Sequence, residues 1–344
     1  MIAQNESATA PHGKPEVLVL VGPTAVGKTN LSLEIAERYG CEIISGDSMQ
    51  VYRRMDIGTA KASSEERSRI PHHMIDIHEP HEPFTVAEFQ ERARELIADI
   101  HSRGKLPFIV GGTGLYIESL IYGFQFSEAG SDEAFRERMS LYADEHGDLA
   151  LHDKLKRQDP LSAERIHPND RRRTIRALEV LHLTGTRLSE QLASQKKRSP
   201  YESCIIGLTM DRTLLYNRIE RRIDQMMEEG LVQEVRRLLH EGVERTAVAM
   251  QGLGYKEMAG CLAGEMTLEE AVNYLKRNTR RYAKRQLSWF RHMQEIHWVE
   301  LEEGSNISEH LKIINDIITG KFPFRREYNA KRRNDAAANP TQTI

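Results

Sequence analysis

Eight residues set the frame for this chain. Gly22-Pro-Thr-Ala-Val-Gly-Lys28-Thr29 is a complete phosphate-binding loop, and its flanks are the ones such a loop needs. Val17-Leu-Val-Leu-Val21 before it is an uninterrupted apolar run of strand length. Leu31, Leu33, Ile35 and Ala36 after it, closed by Tyr39-Gly40, read as a helix with a glycine cap. In a strand–loop–helix unit, glycines let backbone N–H groups close round a phosphate at the positive end of the helix. The pattern predicts that Gly22, Pro23, Thr24, Ala25, Val26 and Gly27 surround a di- or triphosphate. Lys28 would reach its terminal oxygens and Thr29 would place a hydroxyl on Mg²⁺. A glycine-rich turn without a ligand is the plain alternative, and the strand and helix in their required places argue against it.

Strands and helices then alternate. Cys41-Glu-Ile-Ile-Ser45 is the second strand, followed at once by Gly46-Asp47-Ser48. A third unit begins at Thr85, which with Glu88 predicts a capping box. Phe89, Leu96, Ile97 and Ile100 line one face of a helix ending near Gly104. Leu106-Pro-Phe-Ile-Val110 is the next strand, and Gly111-Gly112-Thr113-Gly114 is a second glycine-rich strand-to-helix turn. Such alternation implies a parallel sheet with helices on both faces and ligands at the carboxyl ends of its strands. Lys28, Asp47 and Thr113 should then share one crevice.

From about Phe126 to Ser199 the strands stop. This stretch is polar and helical, with Arg136, Arg138, Lys154, Lys156, Arg157 and the run Arg171-Arg172-Arg173-Thr-Ile-Arg176. A strand returns at Cys204-Ile-Ile-Gly-Leu208, and helices follow to about residue 318. The expected class is α/β: a P-loop NTPase-like parallel sheet flanked by helices, with an inserted all-helical domain. Its parts are 17–125 (first part of the core), 126–199 (helical insertion), 200–322 (core completion and C-terminal helices) and 323–344. The last is a basic tail, with Phe324-Arg325-Arg326 and Lys331-Arg332-Arg333, expected to be disordered.

Bulk properties narrow function only slightly. The 48 Lys and Arg against 51 Asp and Glu leave a net charge of −3, so only local charge can make a case for nucleic acid. Cys41, Cys204 and Cys261 lack metal spacing and suit a reducing cytosol better than a disulfide scaffold. Met1 to Pro15 is polar, with no apolar run and no arginine, unlike a signal or transit peptide. No stretch is long enough to span a membrane. A soluble, monomeric, cytoplasmic protein is expected.

Asp47 directly follows the second strand and should face the crevice, although Asp is also common as a turn or cap carboxylate. The strand Leu106–Val110 ends in Gly111-Gly112-Thr113, without the acid that usually binds Mg²⁺ there. No Asn-Lys-x-Asp guanine-reading tetrad occurs, which argues against a GTPase switch. One carboxylate and no evident hydrolytic base suit transfer to an acceptor, with pyrophosphate as a possible leaving group.

Six motifs follow one another in an order that resembles one family. They are Gly22–Thr29; Asp47-Ser-Met-Gln-Val-Tyr52 with Ile57-Gly-Thr-Ala-Lys61; Gly111-Gly-Thr-Gly-Leu-Tyr116; Arg176-Ala-Leu-Glu-Val180; Gly252-Leu-Gly-Tyr-Lys256; and Tyr282-Ala-Lys-Arg-Gln-Leu-Ser-Trp-Phe-Arg291. The family is the bacterial tRNA dimethylallyltransferases, or tRNA isopentenyltransferases, and the resemblance runs from about residue 17 to 300. Ala62 departs from it, standing where the family usually has proline. The resemblance implies transfer of a dimethylallyl group from dimethylallyl diphosphate to N6 of an adenosine at tRNA position 37, next to the anticodon. Mg²⁺ is the implied cofactor and an anticodon stem-loop the implied partner. Eukaryotic members often carry a C-terminal zinc finger, which the cysteines here cannot build.

Chemistry gives each matched residue a task. An allylic diphosphate ionises readily once its leaving group is neutralised, so electrostatic stabilisation dominates, and Lys28 with the loop amides would supply it. By resemblance Asp47 is the base that assists the exocyclic amine. Thr113 would donate to the oxygen bridging allyl carbon and phosphate, a role compatible with capping the helix behind it. Arg222, in Arg221-Arg222-Ile223, resembles the arginine that closes on the pyrophosphate; without the resemblance it reads as a solvated helix residue. Ser48, Met49 and Gln50 would hold the base taken from its stack. The resemblance implies that Arg136, Arg172, Arg173 and Arg176 in the insertion, with Gly254, Tyr255, Lys256 and Arg285 in the core, contact tRNA.

Local charge adds independent support. Between Asn273 and His292 there are seven Lys or Arg residues and no acid. Arg277, Arg281, Lys284 and Arg291 fall at helical spacing, with Val272, Leu275, Tyr282 and Trp289 expected on the opposing apolar face. Charge runs are usually solvated faces, but an unbalanced one in a nearly neutral chain favours nucleic acid. His72 and His73, adjacent in an expected loop, read as structural rather than as a metal pair. Three rivals share some of these features: a prenyltransferase on free adenine nucleotides, a small-molecule kinase, and an RNA-binding module with a regulatory nucleotide site.

Overall fold

Val17 to Val21 are buried on both faces of β1 (Glu16–Val21), as a continuous apolar strand requires. The computed structural model describes residues 13–126, 130–195, 198–304 and 306–323. The chain before residue 13 and the basic tail with Phe324–Arg326 and Lys331–Arg333 lie outside the described residues. β2 (Cys41–Ser45), β3 (His72–His73), β4 (Leu106–Gly111), β5 (Glu202–Thr209) and β6 (Ile296–Glu300) complete one sheet in the order β3-β2-β4-β1-β5-β6. Every neighbouring pair is parallel. Leu18 faces Phe108 on one side and Cys204 on the other, so β1 is central. The loops that leave β2, β4 and β1 therefore emerge side by side.

Crossovers in the first half run through α1 (Lys28–Tyr39), α2 (Ser64–Arg69) and α3 (Val86–Ser102), and α4 (Gly114–Ile121) follows β4. Phe89 of α3 stacks on Tyr116 of α4 with ring centroids 4.4 Å apart. The capping box expected at Thr85 is half formed. The Thr85 hydroxyl accepts from the Glu88 amide, but the Glu88 carboxylate takes His78 and Arg92 instead of returning to Thr85.

Two compact units divide the described chain: one runs to Ile121 and resumes at Ser199, the other is Tyr122–Arg198. The second contains α5 (Glu133–His146), α6 (Asp148–Gln158), α7 (Pro160–Arg165), α8 (Arg171–Thr184) and α9 (Leu188–Ser194). It has its own core around Leu151, Leu155 and Leu178. Buried Asp159 accepts from the amides of Ser162 and Ser189, tying α7 to α9.

The first unit continues with α10 (Arg212–Glu229), α11 (Leu231–His240), α12 (Tyr255–Leu262), α13 (Leu268–Phe290) and, after β6, α14 (Ile307–Lys321). Two strands correct the sequence reading. β6 interrupts the run of helices expected to reach residue 318; with only Ile296 and Val299 buried, it lacks a strand's alternation. His72 and His73 form β3 at the opposite edge, not a loop, and His73 pairs with Glu42. Among the described residues, no helix is long and apolar enough to cross a membrane.

Candidate active site

α1 starts at the phosphate loop with Gly27 as its N-cap, without a side-chain cap and without an acid in its first turn. Its leading amides are thus open to an anion. Lys28 Nζ folds over the loop and donates to the carbonyls of Gly22 (2.9 Å) and Pro23 (2.8 Å). Burial, then the Arg222 guanidinium, pull the Lys28 pKa down from its ordinary 10.5 to about 8, while Asp47 opposes them.

The turn after β2 brings up the carboxylate. Gly46 N–H donates to Val110 O (2.8 Å) and Thr113 N–H to Gly46 O (3.2 Å), so this turn is stitched to the one after β4. Asp47 Oδ1 accepts from the Met49 amide at 2.8 Å, a turn-forming bond that leaves the residue lining both clefts described below. The Thr113 hydroxyl accepts from Ser48 N–H (3.1 Å) and lies 3.4 Å from Ser48 Oγ. It faces the Asp47 turn instead of capping α4.

α10 and α13 supply the facing wall. Arg222 of α10 is half-buried beside Lys28 and Asp47; burial depresses its pKa, and Asp47 and Glu229 counter it. Arg218, one turn earlier, donates to Val26 O at 3.3 Å. From α13, Gln286 clamps the two glycine-rich loops: its carbonyl accepts from Thr24 N–H and its amide donates to Gly112 O, both at 2.9 Å. A Cβ on Gly112 would collide with that amide, so a larger residue there would displace the clamp. The Tyr282 phenol is pushed up chiefly by burial and also by Asp47, with Thr113 and Gln286 hydrogen bonds opposing.

Two adjoining clefts result. One, of about 490 Å³, is polar and is lined by Lys28, Thr29, Gly112 and Arg218 among others. Its neighbour, of about 330 Å³, has an apolar wall of Ile219, Ile223, Met226, Leu253 and Leu275. Thr24, Ala25, Asp47, Thr59, Arg222 and Tyr282 line both. Asp47 and Arg222 thus stand where the two spaces meet. Ser48, Met49 and Gly254 also line the apolar cleft.

Several predicted residues are engaged otherwise. Gln50 lines the polar cleft, but its amide donates to Thr59 O and Ala60 O and its carbonyl accepts from Ser45 Oγ. Tyr255 lines the apolar cleft but is fully buried, with its hydroxyl donated to Glu234 at 2.6 Å; Lys256 is exposed. In the helical unit, Arg136 and Arg176 both pair with the fully buried Glu179, while Arg172 and Arg173 are exposed. Arg173 also pairs, with Asp170 at 3.4 Å, but at an exposed site.

The basic run on α13 is less unbalanced than it reads. Lys276 pairs with Asp224 and Arg280 with Glu220, both acids of α10. Arg277 lies over Tyr274 and Arg285 over Tyr282, and both are exposed, as are Arg281, Lys284 and Arg291. The buried stripe is Ala271, Leu275, Thr279, Ala283, Gln286 and Phe290, so of the expected apolar face only Leu275 is buried. Trp289 is 37% exposed. Gln286 is polar at a core-facing position of this stripe, and that was the signal for its missed role. Glu234, an acid among Leu231, Val235 and Leu238 on the apolar face of α11, carried a similar one.

Sheet, loop and paired clefts define a phosphate-loop α/β protein whose polar cleft adjoins a second, partly apolar one. The family model for IPP transferase matches residues 50–293. A tRNA dimethylallyltransferase of Bacillus licheniformis is 54% identical over 90% of this chain and 98% of its own length. The crystal structure of the tRNA isopentenylpyrophosphate transferase of Bacillus halodurans is 48% identical, covers 92% of this chain and 100% of that one, and superposes with a TM-score of 0.69. A eukaryotic dimethylallyltransferase, captured in crystallographic snapshots acting on tRNA, is 29% identical with a TM-score of 0.74 over 89% of this chain and 80% of that one. The chain belongs to the tRNA dimethylallyltransferase, or IPP transferase, family.

Proposed function

We propose that the chain transfers the dimethylallyl group of dimethylallyl diphosphate to N6 of adenosine at position 37 of tRNA. Family membership supports the reaction type. The observation that carries the reading is Asp47 and Arg222 at the junction of a cationic cleft and an apolar one. The cationic cleft suits the diphosphate. The apolar cleft suits the five-carbon chain and the flat face of a purine.

Each residue then has a defined task. Lys28, Arg222 and the open amides of α1 take up charge on the diphosphate as its bond to the allyl carbon breaks. Asp47 accepts the proton as N6 forms the new carbon–nitrogen bond, and pyrophosphate leaves. Thr113 donates toward the bridging oxygen, exchanging its present contact with Ser48. Mg²⁺ fits the polar cleft: Thr29 would offer a hard hydroxyl oxygen there, with the diphosphate oxygens as its main ligands. It would supply further charge neutralisation on the pyrophosphate. Ser48 and Met49 are assigned to the acceptor base, with Gln50 supporting them from behind. Arg281, Lys284 and Arg285 of α13, with Lys256, Arg172 and Arg173, are assigned to the tRNA backbone.

Incubation with Mg²⁺, labelled dimethylallyl diphosphate and either unmodified tRNA or AMP tests the proposal. Label in tRNA alone supports it. Label in AMP would point to a prenyltransferase of free nucleotides, and ATP turnover without label to a kinase.

A further inference from the structure

Five non-glycine residues among those described have a left-handed backbone, and four of them, Arg54, Ala60, Met74 and Asp76, fall in one stretch. Strained backbone of this kind persists only where its surroundings over-determine it. Two buried charged groups hold the middle of this stretch. Lys61 Nζ donates to Tyr52 O (2.8 Å) and to the carboxylates of Asp56 (2.7 Å) and Asp76 (2.6 Å).

The second is Glu234, on the first turn of α11 and 5% exposed. One carboxylate oxygen accepts from the amides of Asp56 and Ile57, both at 2.9 Å. The other accepts from the Gly58 amide (3.1 Å) and the Tyr255 hydroxyl (2.6 Å). Three successive backbone amides converge on one carboxylate, an arrangement that fixes a loop rather than a side chain. Gly58 lies so close against the Tyr255 ring that a Cβ has no room.

That loop is a wall of the candidate site. Gly58 and Thr59 line the apolar cleft with Asp47, and Thr59 and Ala60 line the polar cleft with Lys28. Thr59 O and Ala60 O also hold the Gln50 amide, three residues from Asp47. Glu234 itself lines neither cleft.

We propose that Glu234 is a positioning residue of the transfer reaction. Through the amides of Asp56–Gly58 it sets the loop, and through Gln50 it sets the turn that carries Asp47. This inference rests on the function proposed above. Glu234→Gln retains an oxygen for the Asp56 and Ile57 amides but turns its own N–H groups toward Gly58, so the loop is loosened at one point. Glu234→Ala removes all four bonds.

The test is single-turnover transfer to unmodified tRNA at saturating donor, normalised to the folded fraction by a thermal melt, with donor affinity measured separately. Since misplacement by about an ångström costs up to roughly 10²-fold, Glu234→Gln is expected to lower the rate constant about tenfold and Glu234→Ala about 10²-fold. Donor affinity should stay within about threefold of wild type, because Lys28 and the loop amides are untouched. A merely structural role would reduce the amplitude of the reaction and leave its rate constant unchanged. Wild-type rate constants in folded Glu234→Gln overturn the positioning role even if Glu234→Ala fails to fold. Failure of the wild type itself to label tRNA overturns the proposed function, and this inference with it.

Discussion

Gln286 and Thr24 lie 262 residues apart in the chain and meet in one 2.9 Å hydrogen bond from the Thr24 amide to the Gln286 carbonyl. The same carboxamide reaches Gly112 on the other glycine-rich loop. Replacing Gln286 by leucine leaves a partly buried donor and an acceptor without this partner, at a cost of about 1–3 kcal/mol each if left unsatisfied. Gln286→Leu should therefore unfold at lower denaturant and bind the diphosphate donor more weakly. Unchanged stability and donor affinity would mean that the two loops hold their spacing without the clamp.

Asp47 is expected to act on the chemical step. Asp47→Ala should slow single-turnover transfer by roughly 10²–10⁴-fold, the usual contribution of a positioned base, while tRNA affinity changes little. Because Asp47 also accepts from Met49 N–H, Asp47→Asn is the sharper variant: it keeps an acceptor oxygen for the turn but not the base. Equal rates for wild type and Asp47→Asn would remove Asp47 from the mechanism.

The lowered pKa of Lys28 makes donor binding pH-dependent. In the free protein the ammonium is lost as pH rises through about 8, so donor affinity should fall above that pH by up to about tenfold per unit. Lys28→Met should bind weakly throughout and show no such inflection. Stability moves the other way. Between about 8 and the ordinary 10.5 the unfolded chain keeps a proton that the folded one has lost, so this group favours folding increasingly as pH rises through that window. Titration calorimetry across pH 7–10 measures the first effect, and denaturant melts measure the second.

Exposure separates the lysines and arginines of α13. Affinity for tRNA should fall steeply with salt, and Arg281→Ala with Lys284→Ala should weaken binding and flatten the salt slope by roughly one unit per lost phosphate contact. Lys276→Ala and Arg280→Ala, whose partners are Asp224 and Glu220, should change the slope much less. Coincident slopes for the first pair and wild type would place the tRNA elsewhere, with donor affinity as the control for folding.

Much of the sheet was legible in the sequence because its inner strands are apolar runs closed by glycine or a polar turn, as at Val17–Val21 and Leu106–Val110. β6 was not, since an edge strand buries only two of its five residues and no period emerges. Within the candidate site, Lys28 and Asp47 declared themselves by motif and by position at a strand end. Gln286 and Glu234 did not, because their partners, mostly backbone amides and carbonyls, lie in other segments, and no local pattern announces a bond between residues 286 and 24. Arg136 was read as available charge because the buried Glu179 that occupies it is met only once α5 packs on α8, whereas the Arg176–Glu179 pair is local to α8 at i,i+3 spacing and could have been read.

Glu16 pairs with Glu202, so the neighbour on one side of β1 is made only after the whole helical unit 122–198 has been synthesised. During translation Val17–Val21 can acquire β4 early, but its other edge waits for Cys204–Leu208. An unpaired apolar strand edge is a template for wrong partners. The helical unit, with a core of its own, can meanwhile fold and leave the nascent chain as a closed body. Stalling between residues 122 and 198 would then be where this protein most needs a chaperone, and the outer edge of β5 stays open until Ile296–Glu300 has been made.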